Sequence, residues 1–181
     1  MAPPLARTNE EAHLYLELHP CPCGEADFGA TSSVTMVDGN WIVRYSGRCV
    51  ECDRPRSFEF RQPEELAVPD EGEWAPGQQP SELLDAGEWL WVADTYGSVP
   101  VGAEGLSDAQ REQVRVDLVA ARAAIDEVRK FLPDTAAEVP DDAFWSYRGR
   151  EVRAAEPGRF GRLRLDAARA AYERSLAELD G

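Results

Sequence analysis

The sequence predicts an α+β protein: an N-terminal antiparallel β module of about four strands, followed by a C-terminal bundle of about four helices. Three observations carry this reading. Short apolar segments with a period of two, separated by turn residues, fill residues 12–62. A stretch rich in Pro, Gly and acidic residues at 63–80 breaks both helix and strand. Beyond it, apolar residues recur every three or four positions behind capping residues. The chain of 181 residues thus divides into a β module at 1–62, a connector at 63–80 and a helical part at 81–181.

The first strand is read from Leu14, Leu16 and Leu18, alternating with His13, Tyr15 and Glu17. A helical start competes with it, because Thr8 and Glu11 have the spacing of a capping box. Val34 and Met36 alternate with Thr35 and Val37 ahead of Asp38-Gly39-Asn40. Asp-Gly tolerates the positive φ of a tight hairpin turn. Trp41-Ile42-Val43-Arg44-Tyr45 then forms the return strand, and Ser57–Arg61 the last one.

In the second half, Asp85 caps a helix over 86–96 that Gly97 closes, apolar on nearly every side through Trp89-Leu90-Trp91-Val92-Ala93. Ser107 caps the longest helix, about 108–131, with an apolar stripe of Val114, Leu118, Ala121, Ile125, Val128 and Leu132. Pro140 opens a helix through Trp145 and Val152 that ends before Pro157. The last helix, about 160–179, aligns Leu165, Ala168, Tyr172, Leu176 and Leu179. Four such helices pack most naturally as an antiparallel bundle.

The chain carries 19 basic and 34 acidic residues, a net charge of −15. The imbalance sits in the middle: residues 1–62 are net −3, residues 63–143 net −14 and residues 144–181 net +2. This argues against general binding to nucleic acid or an anionic membrane, both of which require a basic surface. The acidic middle is either a solvated surface or a docking face for a basic partner. No segment reaches the roughly 18 consecutive apolar residues of a spanning helix. Residues 1–8 lack the charged start and apolar run of a signal peptide. The expected compartment is the cytoplasm. Of the 19 basic residues only Lys130 is a lysine, an arginine bias typical of a GC-rich, bacterial genome.

The one specific motif is Cys21-Pro22-Cys23-Gly24 followed by Cys49-Val50-Glu51-Cys52, which accounts for all 4 cysteines. In a reducing compartment, cysteine pairs at short spacing read as metal ligands before disulfides. Four thiolates suit a tetrahedral structural Zn²⁺ with bonds of about 2.3 Å, a set that leaves no open position for water or substrate. The first pair is one residue shorter than the usual spacing. The competing readings are four metal-free thiols or disulfides, and redox catalysis, which no surrounding βαβ pattern supports. His19 stands two residues before Cys21, as a loop residue or a replacement ligand; His13 reads as an outward strand residue. Arg44, Arg48, Arg54 and Arg56 cluster near the second pair, where they offset the charge of a tetrathiolate.

Catalytic patterns are missing. There is no His-x-Glu ahead of Pro20-Cys21, no His-Glu-x-x-His, no phosphate-binding Gly-rich loop and no Gly-x-Gly-x-x-Gly. With 2 histidines, both near the N-terminus, a nucleophile–histidine arrangement has little to draw on, so the reading leans away from an enzyme. Trp41 and Tyr45 interleaved with Arg44, Arg48, Arg54 and Arg56 offer a nucleic-acid face that would stack bases and grip phosphates. The plainer alternative is that the aromatics face the core and the arginines are solvated. Trp89, Trp91, Phe144 and Trp145 read as core.

Residues 13–61, with His19-Pro20-Cys21-Pro22-Cys23-Gly24-Glu25 and Cys49-Val50-Glu51-Cys52, resemble a zinc-ribbon module. The whole chain, including Glu88-Trp89-Leu90-Trp91-Val92-Ala93, resembles uncharacterised actinobacterial zinc-ribbon proteins. The double cysteine pair is also similar to bacterial immunity proteins that neutralise polymorphic toxins. That second resemblance covers the cysteine pairs and little else. It implies a non-enzymatic, metal-binding cytoplasmic protein engaged in a protein–protein interaction, an antitoxin-type inhibitor whose acidity suits a basic toxin. The alternatives are a nucleic-acid-associated regulator using the arginine-rich face, and a small enzyme or accessory subunit with a pocket between ribbon and bundle. Nothing in the sequence sets the oligomeric state.

Overall fold

The structure is a computed structural model. It describes residues 2–64, 69–70, 72–98 and 105–180. Its elements in order are α1 (Asn9–Leu18), β1 (Thr31–Val37), β2 (Asn40–Arg48), β3 (Pro55–Gln62), α2 (Ala86–Gly97), α3 (Asp108–Lys130), α4 (Tyr147–Ala155) and α5 (Arg162–Asp180). Short 3₁₀ turns occupy Asp141–Ala143 and Pro157–Phe160. The class is α+β, with three strands and five helices among the described residues. Two compact units emerge: Met1–Pro69 with Ser81–Leu83, and Asp70–Pro80 with Leu84–Gly181. Part of the 63–80 stretch expected as a connector therefore belongs to the second unit: Trp74 packs on Trp89 and Tyr96, and its indole N–H donates to the Ala120 carbonyl.

In the first unit, the segment expected as the first strand is the helix α1. Thr8 is its N-cap, accepting the Glu11 amide at 3.1 Å. The Glu11 carboxylate does not return to Thr8 to close a capping box. It takes the Arg7 amide at 2.8 Å and the Arg7 guanidinium at 2.6–3.1 Å, fully buried. The period of two misleads for a geometric reason. Successive helix residues turn by about 100°, so a spacing of two places side chains roughly 200° apart. A helix buried around most of its circumference accepts such a pattern: Glu11, Ala12, Leu14, Leu16 and Leu18 are buried, while Glu10, His13 and Glu17 face out. His13 is therefore an exposed helix residue whose ring still reaches Tyr45 at the border of the α1–sheet contact.

The three strands form an antiparallel sheet in the order β1-β2-β3. Asp38 and Gly39, both at positive φ, make the two-residue turn between β1 and β2. One face carries Val43 opposite Phe60 and Tyr45 opposite Phe58. Tyr15 of α1 meets Phe58 and Phe60 edge-on, and His13 meets Tyr45, so α1 covers β2 and β3. β1 is exposed along its whole length.

In the second unit, Asp85 ties two helix starts together. Its carboxylate accepts the Glu88 amide at 2.9 Å inside a capping box on α2, and the amide of Ser146, the α4 N-cap, at 2.7 Å. Gly149 is required beside it, because a Cβ there would overlap the Asp85 carboxylate. The helix expected from Pro140 through Val152 is interrupted. A 3₁₀ turn ends at Ala143, Phe144 turns inward against Phe160, and Ser146 starts α4 anew. The final helix likewise begins at Arg162, after the 3₁₀ turn that buries Phe160. Trp89 is fully buried as expected, whereas Trp91 and Trp145 are partly exposed.

Glu88 is buried beside Asp85, and its carboxyl pKa is raised from 4.5 to about 7, chiefly by desolvation and further by the Asp85 charge, against the pull of the Asp85 amide, Arg148 and Ser146. A folded-state pKa above the unfolded one means that native stability is intact below about pH 4.5. It falls as pH rises through 7, because the unfolded chain ionises first. Each pKa unit is worth about 1.4 kcal/mol, so the full loss over about 2.5 units is about 3.5 kcal/mol at most. Denaturation of the second unit, followed from pH 5 to 8, should show this loss in the wild type and a flat profile in Glu88→Gln. An unchanged slope in the variant would refute the assignment.

Candidate metal centre

The two cysteine pairs sit on matching turns. After α1 ends, the His19 amide donates to the Tyr15 carbonyl, and Pro20 directs the chain into Cys21-Pro22-Cys23-Gly24. The Gly24 amide closes the turn on the Cys21 carbonyl at 2.7 Å, with Gly24 at φ +98°. In the second turn, between β2 and β3, the Asp53 amide donates to the Cys49 carbonyl at 2.9 Å, and Asp53 is at φ +56°. Gly24 and Asp53 thus occupy the same place, directly after the second cysteine of each pair. Glycine adopts that backbone freely, and aspartate is among the residues that tolerate it. The Val50 amide donates to the Asp27 carbonyl at 3.2 Å and ties the second turn to the chain that leaves the first.

The four Sγ atoms lie within 4.8 Å of one another. Cys21 and Cys52 are 3.5 Å apart, as are Cys23 and Cys49. A tetrahedron with metal–sulfur bonds of about 2.3 Å has S–S edges of about 3.8 Å, whereas a disulfide requires about 2.05 Å. All four cysteines are free thiols, and the arrangement is compatible with a metal ion. Cys21 and Cys49 are buried and Cys23 and Cys52 exposed, so one rim of the cluster faces solvent.

Backbone amides of Glu25, Glu51, Cys52 and Arg54 point at the sulfurs and favour thiolates. The Cys52 amide leads in lowering Cys49 to about 7, against desolvation and with help from the Glu51 amide and neighbouring thiols. At Cys23 the Glu25 amide lowers the pKa, but the Cys49, Cys52 and Cys21 sulfurs and desolvation outweigh it, and the thiol is pushed up to about 12. Four sulfurs this close do not all ionise on their own; a bound cation removes the conflict.

Around the cluster, Arg48 forms a two-pronged ion pair with Asp53 at 2.6 and 2.8 Å, exposed to solvent and hence a weak tether. Arg56 has a role that residue spacing did not reveal. Its guanidinium lies 5.1 Å from the Phe28 ring centre and 4.9 Å from that of Phe58, and it donates to the His19 carbonyl. It thereby clamps β3 to the approach to the first pair. His19 stands outside the cluster, with its ring stacked on Tyr15 and Nδ1 donating to the Tyr15 carbonyl at 2.8 Å.

The residues of the nucleic-acid face divide between the two sides of the sheet, with Arg56 on the side of Trp41 and Tyr45. Trp41 and Tyr45 share the α1 side of the sheet, and Tyr45 is buried there. Arg44 and Arg48 alternate to the opposite side, where Arg44 pairs with Glu59. Arg54 is exposed, with its carbonyl accepting the Cys49 amide.

The chain matches no protein-family model, no curated protein and no solved structure. No helix among the described residues is long and apolar enough to cross a membrane.

Proposed function

We propose that this chain is a non-enzymatic, cytoplasmic protein-binding protein whose first unit is a zinc ribbon, held by a structural Zn²⁺ on Cys21, Cys23, Cys49 and Cys52. The observation that carries this reading is the convergence of four free thiols within 4.8 Å of one another. Four cysteines fill every position of a tetrahedral ion, so the metal fixes a fold and leaves no place for a substrate. Four soft donors select zinc over harder cations such as magnesium or calcium. The net charge of −15 supports a basic partner, through potentials that steer encounter. An immunity role, in which an acidic inhibitor covers a basic toxin, fits this chemistry. The regulator reading has less support, because the aromatics and Arg44 and Arg48 occupy opposite faces. Two measurements test the proposal. Elemental analysis of the purified protein should return about one zinc per chain. A tagged pull-down from the host lysate should retain a stoichiometric protein partner after nuclease treatment. Metal-free folded protein would overturn the zinc site, and a capture that nuclease abolishes would overturn the protein-binding reading.

A further inference from the structure

The two edges of the sheet are treated differently. At β3 the chain around Leu5 runs alongside Arg61: the Ala6 amide donates to the Arg61 carbonyl at 2.9 Å and the Arg61 amide to the Pro4 carbonyl at 2.8 Å. β1 pairs with β2 from Thr31 opposite Ser46 to Val37 opposite Asn40, and no described strand pairs with its other side. Free edges are ordinarily blunted with lysine, proline or a bulge. The segment Thr31–Val37 has none of these: it is uncharged, contains no proline and is paired without interruption.

This open edge also exposes apolar side chains and is flanked in sequence by Asp27 and Asp38. Val34 and Met36 are 55% and 59% exposed, beside Trp41 at 41%, which stands opposite Met36 on the same face. Between Thr8 and Val43 there is no lysine or arginine, while Glu10, Glu11, Glu17, Glu25, Asp27 and Asp38 give a net charge of −6. Glu11 is neutralised by Arg7, and Asp27 and Asp38 are exposed just beyond the two ends of β1. An incoming strand would meet backbone donors and acceptors, an apolar strip and negative charge at both ends.

We infer that β1 is the docking edge of this protein and that its occupant is an extended segment of a basic partner protein, added to the sheet as a further strand. The inference rests on the protein-binding reading above and gives it a surface. Backbone pairing supplies registry, side chains beside Val34 and Met36 supply apolar burial, and lysines or arginines near Asp27 and Asp38 supply charge complementarity. A second copy is the poorer occupant, since each chain carries −15 and the strand ends would bring carboxylates together.

The test is hydrogen–deuterium exchange on the full-length, metal-loaded chain, alone and with the partner isolated by the pull-down. In the complex, amides of residues 31–37 should slow by roughly tenfold or more. A Val34→Glu/Met36→Glu variant changes only exposed positions, so its metal content and circular dichroism should match the wild type, while its affinity for the partner falls by roughly 100-fold. A partner that protects other residues and binds the variant equally well overturns the edge assignment and leaves the protein-binding reading standing. Absence of any nuclease-resistant protein partner overturns that reading and this inference with it. A homodimer in sedimentation with 31–37 protected overturns the basic partner in favour of a second copy.

Discussion

With zinc held as proposed on the four cysteines, chelation is expected to unfold the first unit and to leave the second folded. The first unit comprises about 70 residues, and cores of that size rarely supply more than roughly 3–5 kcal/mol. Its apolar core is small: Ala6, Ala12, Leu14, Leu16, Leu18, Phe28, Ile42, Val43, Tyr45, Phe60 and Leu83. β1 adds nothing to that core. A structural zinc contributes roughly 10–16 kcal/mol of apparent binding free energy at neutral pH, which exceeds what such a core supplies. The second unit draws on separate packing, with Trp89, Leu90, Leu118, Ile125, Val128, Phe160 and Leu165 buried and α2 and α3 closed by capping boxes. Exchange or limited proteolysis after treatment with a strong chelator should therefore open residues 9–62 and spare the helices beyond Leu84. Cys49→Ser should reproduce this without chelator, because it removes a buried ligand while preserving size. Retention of the β2–β3 amide protection in metal-free protein would refute the prediction.

Much of the fold was legible in the sequence where the signal is local. Asp85 and Ser107 each cap a helix through the amide three residues on, and Asp38-Gly39 adopts the positive φ pair that a two-residue hairpin turn demands. The cysteine pairs likewise announced their convergence, since a hairpin between two tight turns brings the turns together. What escaped depends on tertiary surroundings. Leu14, Leu16 and Leu18 read as a strand because burial around most of a helix mimics alternation. Phe144 and Phe160 divert the chain inward and break helices that local propensity would have continued. The separation of Trp41 and Tyr45 from Arg44 and Arg48 was within reach, because odd and even positions of one strand lie on opposite faces. The clamp made by Arg56 was not, since nothing local pairs it with Phe28 or the His19 carbonyl.

The Arg7–Glu11 pair is the clearest case of stability that composition conceals, and truncating one partner should show it. Arg7→Ala is expected to destabilise the first unit by about 3–5 kcal/mol, the usual cost of leaving a buried charge without its counterion. Glu11 is fully buried, and all of its side-chain hydrogen bonds shown above come from Arg7: one from the amide and the rest from the guanidinium. Removing the guanidinium leaves a carboxylate facing a single amide. Adding Glu11→Gln to Arg7→Ala should recover most of the loss, because the uncharged side chain still offers an oxygen to the residue-7 amide. That recovery separates a charge effect from lost packing by the arginine stem, which the second change would not restore. The consequence reaches the metal centre. α1 carries the chain directly into the first cysteine pair, and its start is fixed by Thr8 and Glu11. Zinc transfer to a competing chromophoric chelator should be faster in Arg7→Ala and slower again in the double variant. Denaturant unfolding with zinc present gives the stabilities, and an Arg7→Ala protein as stable as wild type would show that the pair contributes no more than an exposed one.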